Sequence, residues 1–228
     1  MKTSYVCIHC GEGQQQLYKR YGPDLLKLSR CSKCNHTVDE YIEMELSIVF
    51  IDAVLQKLEA YRHLIFNVGV ERPWKLAVFF LLGEALELWM SRQQGARAGL
   101  GLEWHFYLTC LFLVASNAVF LALVVALVNL CVKTCNREHL AWALVLCSYG
   151  KLLALPATLW GCDRSQAHFL VTAFFLCSQA QACRVVSGAG RSWAAAVVAT
   201  SYLVQQAAVV WASPILRLSD YAGPQETD

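Results

Sequence analysis

Charged residues are scarce in this sequence. Lys, Arg, Asp and Glu make up 16% of the 228 residues, while hydrophobic residues make up 57%. Soluble globular proteins contain about 25% charged residues, so this composition argues against a soluble protein and predicts one that lies in a membrane. The mean hydropathy of +0.40 agrees with that prediction.

Motifs of the common enzyme classes are also missing. The sequence has no His-Glu-x-x-His, no Gly-x-Ser-x-Gly, no P-loop and no Gly-x-Gly-x-x-Gly. Its 6 histidines are scattered, and none has a carboxylate at a spacing that indicates a dyad by sequence alone. We therefore expect a protein without enzymatic activity. A membrane-embedded catalytic site of a new kind is the alternative.

The first residues lack the apolar core of a signal peptide. They lead directly into Cys7, so we expect a later apolar segment to target the chain and the N-terminal domain to stay on the cytosolic side. Basic residues concentrated in this domain suit the anionic cytosolic leaflet, although an ordinary solvated basic face is the alternative. These residues are Lys2, Lys19, Arg20, Lys27, Arg30 and Lys33.

Two Cys-x-x-Cys pairs dominate the N-terminal region. Cys7 and Cys10 form the first pair, and Cys31 and Cys34 form the second, twenty residues later. This spacing is typical of a four-thiolate zinc site. Four sulfurs complete the tetrahedron and leave no position for an activated water, so we predict structural zinc. A redox role and a disulfide pair are disfavoured, because no βαβ pattern surrounds the pairs and no secretory signal precedes them.

The residues around these pairs predict a small zinc ribbon over residues 1–45. Segments 17–21 and 25–30 have strand character, and residues 22–24 have turn chemistry. Gly11 and Asn35 each follow a pair and tolerate the left-handed backbone that such turns need. About thirty residues bury too little apolar surface to fold alone, so the metal would supply most of the folding free energy. Residues 38–43 predict one more strand or an extended lead-in.

Residues 46–70 predict one amphipathic helix. Its apolar stripe contains Ile51, Val54, Leu58, Tyr61 and Ile65. Its polar side contains Asp52, Gln56, Glu59 and His63. Because the charges make spanning costly, we expect the helix to lie in the headgroup plane or to pack the ribbon onto the membrane domain. Burial against neighbouring protein is equally open.

Residues 71–218 predict a bundle of four or five transmembrane helices. The apolar runs 106–132, 140–160, 168–187 and 192–213 are long enough to cross a bilayer. Segment 76–90 contains Glu84 and Glu87 and predicts either a tilted span or a re-entrant segment. A polar tail, 219–228, follows. The fold class is therefore a mainly α polytopic membrane protein with a small N-terminal β domain.

Several of these segments together resemble the homology domain of the Arv family. The resemblance includes the paired Cys-x-x-Cys motifs, residues 38–43 and residues 60–67, and it continues in the membrane part at residues 148–153 and 181–185. It implies a multi-pass protein of the endoplasmic reticulum that supports sterol and lipid homeostasis through lipid binding or intracellular sterol transport. The alternative it leaves is a non-catalytic scaffold for glycosylphosphatidylinositol-anchor or sphingolipid biosynthetic enzymes. Glu40 and Glu45 depart from the family pattern without touching the metal ligands.

Lys151 is the most informative residue of the predicted bundle. It lies near the middle of its apolar run, where an unpaired cation costs at least a few kcal/mol. We expect it either to pair with Glu84 or Glu87 or to contact a lipid headgroup or hydroxyl. The other candidates for lipid or partner contact are Tyr61, Arg62, His63, Tyr149 and Arg184. Bonds between helices are expected from Gln179, Gln181, Gln205 and Gln206.

The expected partners are membrane lipids, with sterol among them, and lipid-synthesis or anchor-synthesis enzymes. Nucleic acid is disfavoured as a partner of the ribbon because membrane spans follow it directly. The sequence leaves the oligomeric state open.

Overall fold

The computed structural model describes residues 5–22, 26–69, 73–93, 102–132 and 135–212. Lys2, the predicted turn residues 23 and 24, residues 94–101 and everything beyond residue 212, including the polar tail, lie outside the described residues. Within those ranges, the chain forms a small β-unit followed by helices.

The β-unit consists of two antiparallel hairpins. The first pairs β1 (Tyr5–Val6) with β2 (Gly13–Gln14), and the second pairs β3 (Tyr18–Arg20) with β4 (Leu26–Leu28). The two predicted strand segments of the ribbon are therefore confirmed, with shorter bounds. The strand suggested for residues 38–43 is wrong: this stretch consists of bends and turns. Asp39 bends the backbone there, because its Oδ1 accepts a hydrogen bond from the amide of Tyr41 at 3.1 Å.

The predicted single amphipathic helix is also wrong. The chain instead forms α1 (Leu46–Val54), a break, α2 (Leu58–Arg62) and a π-helical segment (His63–Val68). The break lies at Gln56, whose φ is +60°. Contacts with α7 hold this conformation. The side-chain amide of Gln56 donates to Ser178 Oγ at 3.0 Å, and the backbone carbonyl of Gln56 accepts from Gln181 Nε2 at 3.0 Å.

The membrane part contains six further helices in the described ranges. They are α3 (Pro73–Gln93), α4 (Leu102–Cys131), α5 (Arg137–Leu146), α6 (Ala154–Leu159), α7 (Arg164–Ser187) and α8 (Arg191–Ala212), with a 3-10 segment (Cys147–Leu153) joining α5 to α6. Side-chain and backbone caps set some of these ends. Asn136 accepts from two amides at the start of α5, and Gly188 ends α7 in the left-handed conformation.

Four segments of the described chain are long and apolar enough to cross a membrane. They are Phe106–Cys131, Arg137–Leu159, Ser165–Ser187 and Arg191–Trp211. This confirms that the four predicted segments are helical and long enough to be candidate spans. The α3 helix reaches 21 residues and contains Glu84. Its crossing of the membrane stays a prediction.

The bundle packs most closely where the 3-10 segment meets α7. A side chain at Gly150 would place its Cβ 2.6 Å from the Phe174 ring, so only glycine allows this approach. Gln179 is fully buried beside it and donates to the Leu144 carbonyl at 3.0 Å. Phe175, also on α7, packs against Phe120 of α4. Glutamine bonds between helices are therefore present, as the sequence predicted.

Candidate metal centre and its link to the membrane helices

The sulfurs of Cys7, Cys10, Cys31 and Cys34 all lie within 4.8 Å of one another. The Cys7–Cys34 and Cys10–Cys31 sulfur distances are 3.7 and 3.6 Å. A tetrahedron with Zn–S bonds of about 2.3 Å has edges of about 3.8 Å, whereas a disulfide bond measures about 2.05 Å. The spacing therefore fits four thiolates around one metal ion.

Both cysteine pairs lie on the same kind of turn. In the first, the Gly11 amide donates to the Cys7 carbonyl at 2.9 Å; in the second, the Asn35 amide donates to the Cys31 carbonyl at 3.1 Å. Gly11 and Asn35 have φ values of +79° and +61°. This confirms the left-handed positions predicted for both residues. The turns give the two pairs matching geometry around a shared centre.

The electrostatic environment differs between the two turns. Hydrogen bonds from the backbone amides of Cys34 and Lys33 lower the pKa of the Cys31 thiol to about 6. Burial raises the pKa of the Cys7 thiol to about 12. Cys31 is therefore prepared as a thiolate near neutral pH, whereas Cys7 must lose a proton before it can bind a metal.

A buried polar cluster joins the ribbon to the π-helical segment. Asp39 Oδ2 lies 2.7 Å from His63 Nδ1 and accepts from Asn67 Nδ2 at 2.7 Å. Asn67 also binds both backbone groups of Val6. Asn67 Nδ2 donates to the Val6 carbonyl at 2.9 Å, and Asn67 Oδ1 accepts from the Val6 N–H at 3.0 Å. All three side chains are buried. We call Asp39, His63 and Asn67 the latch.

Arg62 makes a second connection, directly to the first cysteine turn. Its Nη1 donates to the carbonyl oxygens of Ile8 and His9 at 2.7 and 2.6 Å. The guanidinium also lies against Gly11, where a Cβ would approach Arg62 Nη2 to 3.4 Å. The carbonyls between Cys7 and Cys10 are thus held by a residue of α2, next to the latch.

The same helical segment contacts the membrane helices on its other side. The hydroxyls of Tyr61 and Tyr149 lie 3.0 Å apart, and Tyr149 Oη donates to the Ala53 carbonyl at 3.0 Å. Together with the Gln56 contacts to α7, these bonds join α1 and α2 to the bundle. A continuous path of contacts therefore leads from the cysteine turns through Arg62 and the latch to the middle of the membrane part.

A separate polar cluster lies within the bundle. Lys151 Nζ lies 3.0 Å from Glu84 Oε2 and 2.7 Å from Asn117 Oδ1, and 4.8 Å from the centre of the Phe175 ring. The expected alternative in which Lys151 pairs with Glu84 is therefore present. The side chains of Lys151 and Glu84 are half-buried.

The sequence-predicted contact residues fall into three places. Tyr61 and Tyr149 meet at the junction of α2 and the bundle, Arg62 and His63 hold the ribbon, and Arg184 lies half-buried in the last turn of α7. The contacts shown for the first four are all within the protein, and their lipid or partner contact stays a prediction. Asp39 and Asn67 lie within the motif segments but were not predicted as site residues. Their buried partners are distant in sequence.

These features define a polytopic membrane protein with an N-terminal four-cysteine ribbon anchored on its helices. The profile of the Arv1-like family matches residues 6–183, and the chain belongs to that family. Protein ARV1 of Bos taurus is 34% identical over 220 residues, which cover 90% of this chain and 77% of the relative. The protein of the same name from Mus musculus is 35% identical, with 90% and 82% covered. The Homo sapiens protein is 35% identical, with 88% and 79% covered. No solved structure matches the chain.

Proposed function

We propose that this protein supports sterol and lipid homeostasis in the endoplasmic-reticulum membrane by binding or moving lipid. In this proposal, zinc holds the ribbon together on the cytosolic side and has no catalytic role. Membership of the Arv1-like family and the four candidate spans support the general role. The names of the similar proteins denote no enzyme, which agrees with a non-enzymatic function.

The main support for this proposal is the continuous path of contacts from the ribbon to the bundle. On one side, the latch and Arg62 bind backbone groups within the first cysteine turn and the strand before it. On the other side, Tyr61 and Gln56 contact Tyr149 and Ser178 of the membrane helices. A ribbon that shifts or unfolds must therefore disturb the helices beside it. Such a connection suits a cytosolic head that controls lipid entry into a membrane domain.

The Lys151 cluster is the candidate contact for the polar end of a lipid. It combines an ammonium, a carboxylate and an amide within a mostly apolar bundle. Polar residues at such depth are costly and usually serve either function or packing. Because Lys151 and Glu84 remain partly exposed, a lipid hydroxyl or headgroup can reach them.

Sterol transfer between liposomes tests this proposal. The purified protein should move labelled sterol faster than protein-free liposomes do, and the variant pair Lys151→Met with Glu84→Gln should reduce transfer at least fivefold. This pair removes both charges together, so neither partner is left unpaired in the bundle. Lys75→Met, at an exposed lysine, is the matched control. Transfer equal to that of protein-free liposomes would contradict a direct transport role.

A non-catalytic scaffold for glycosylphosphatidylinositol-anchor or sphingolipid enzymes is the second candidate. One observation favours it: the β3 strand is exposed along its length and borders an open groove of about 610 Å³. Lys19, Arg20 and Tyr21 offer charge and an aromatic ring there. Co-purification of such enzymes should be lost in Arg20→Ala with Tyr21→Ala and retained in Arg137→Ala. Retention of every partner in the double variant would count against the scaffold.

A further inference from the structure

The α1 helix presents a large apolar surface outside the protein core. Leu46, Phe50 and Leu55 are 83%, 56% and 63% exposed, and Ile51 lies beside them with a similar exposure. We call these four residues the α1 face. Contiguous exposed apolar surface of this kind indicates a contact with lipid or with another protein.

Charge on α1 is limited and compensated. Asp52 is the only charged residue between Leu46 and Val54. Its carboxylate lies 2.8 Å from Lys57 Nζ and accepts from the Tyr41 hydroxyl at 2.8 Å. The Lys57 side chain is half exposed and long enough to extend its ammonium group toward water.

Several backbone groups in the break after α1 have hydrogen-bond partners within the protein. The amides of Leu55, Gln56 and Lys57 donate to carbonyls of α1 at 2.9 to 3.1 Å. The Gln56 carbonyl accepts from Gln181. Irregular backbone is tolerated at membrane depth only where its polar groups have partners within the protein, and these four groups meet that condition.

The position of α1 beside the bundle indicates its depth. The Phe50 ring lies 6.2 Å from the ring of Tyr149, whose hydroxyl binds the Ala53 carbonyl. Tyr149 lies 12 residues after the start and 10 residues before the end of the span Arg137–Leu159. Ser178, the partner of Gln56, lies 13 residues after the start of Ser165–Ser187. The C-terminal half of α1 therefore lies beside the middle of two spans, not beside their ends.

We infer that α1 is immersed in the leaflet on the ribbon side, with the α1 face against phospholipid acyl chains. The helical pair α1 and α2 forms a re-entrant element that enters from the ribbon and returns to it. Lipid is the occupant because Phe50 and Gln56 contact Tyr149 and Ser178, which belong to two candidate spans, while the α1 face points away from the contacts that Val49 and Ala53 make with the ribbon. This inference depends on the membrane fold and not on lipid transport. It differs from the headgroup-plane helix expected from the sequence in the depth that it assigns.

Depth-dependent quenching tests the inference. A fluorescent amino acid is incorporated at Phe50 in the full chain, which is reconstituted in phosphatidylcholine nanodiscs with a doxyl group on acyl carbon 5 or carbon 12. Leu203 in α8 and Tyr21 in the ribbon, both 65% exposed, serve as the membrane and water controls. We expect both doxyl lipids to quench position 50 to at least half the extent at position 203. Position 21 should stay unquenched.

The remaining outcomes contradict the inference in distinct ways. Quenching at position 50 by the carbon-5 lipid alone would place α1 near the headgroups. Quenching no greater than at position 21 would place the α1 face in water or against a protein partner. Quenching at position 50 that is greater than at position 21 but less than half of that at position 203 also contradicts immersion. Zinc content and circular dichroism of the labelled proteins confirm that the substitutions preserve the fold.

Discussion

The ribbon and the bundle hold their structures by different means. The ribbon's candidate metal centre brings together four sulfurs on two matching turns, and a few buried polar side chains fasten it to α2 and the π-helical segment. The bundle relies on many contacts, among them the glycine approach at Gly150, the buried Gln179 and the Lys151 cluster. Removal of one metal-binding sulfur from the ribbon should therefore destabilise the local structure far more than removal of one contact from the bundle.

The largest effect is expected at the cysteines. Cys10→Ser removes one metal ligand, and apparent zinc binding energies of about 10–16 kcal/mol in small zinc domains show how much folding free energy depends on the ion. We expect the variant to lose its zinc and to become sensitive to proteolysis within residues 5–45, while α8 stays folded. Cys162→Ser, at an exposed cysteine outside the cluster, is the control. Full zinc content in the Cys10 variant would contradict the proposed centre.

A smaller effect is expected at the latch. Asp39→Ala leaves His63 and Asn67 buried without their shared acceptor, and such a loss costs roughly 3 kcal/mol. Hydrogen exchange should increase at residues 5–8 and 58–69, while zinc content stays at the wild-type level. Glu40→Ala, at the next position and more exposed, should leave exchange unchanged. Equal exchange in the two variants would show that the latch does not fasten the ribbon.

The bundle should respond less to a single change. Gly150→Ala pushes a Cβ into the Phe174 ring, and overpacking of this kind costs about 1–3 kcal/mol. The midpoint of thermal unfolding in detergent should fall by several degrees, and Phe174→Leu in the same chain should restore part of the loss. Gly190→Ala, where no atom lies within 4 Å of the added Cβ, is the control. A decrease as large in the control would contradict the close-packing explanation.

The smallest effect concerns pH. Because burial raises the pKa of Cys7 to about 12, this thiol is protonated near neutral pH and must release its proton on metal binding. Apparent zinc affinity should therefore fall as pH decreases. Each thiol that must release a proton lowers the apparent zinc affinity about tenfold for each unit by which the pH falls, which corresponds to about 1.4 kcal/mol of binding free energy. Competition with a chelator at pH 7.5 and 6.5 measures this change, and an affinity that rises toward pH 6.5 would contradict it.

Local patterns explain which parts of the fold the sequence could predict. The cysteine spacing, the left-handed positions after each pair and the four apolar runs each depend on residues close together in the chain, and each is confirmed. The cost of an unpaired cation was enough to suggest the pairing of Lys151 with Glu84, 67 residues away. Here a strong physical requirement compensated for the missing local signal.

The latch and the broken helix could not be predicted in the same way. Asp39 meets His63 and Asn67 from 24 and 28 residues away, and nothing near either partner shows that the other is buried beside it. His63 falls on the polar side of an ideal helix, so periodicity placed it in solvent. The break at Gln56 is held by Ser178 and Gln181, which are more than 120 residues away. Tertiary contacts therefore override the local helical pattern.

Hydrogen exchange of the full chain in nanodiscs, measured before and after zinc removal by a chelator, tests the coupling of the two regions most directly. We expect protection to fall first within residues 5–45, then at residues 58–69 and around Tyr149, while α8 stays unchanged. A loss of protection that ends at residue 45 would contradict this expectation, because the ribbon would then unfold without disturbing the membrane helices.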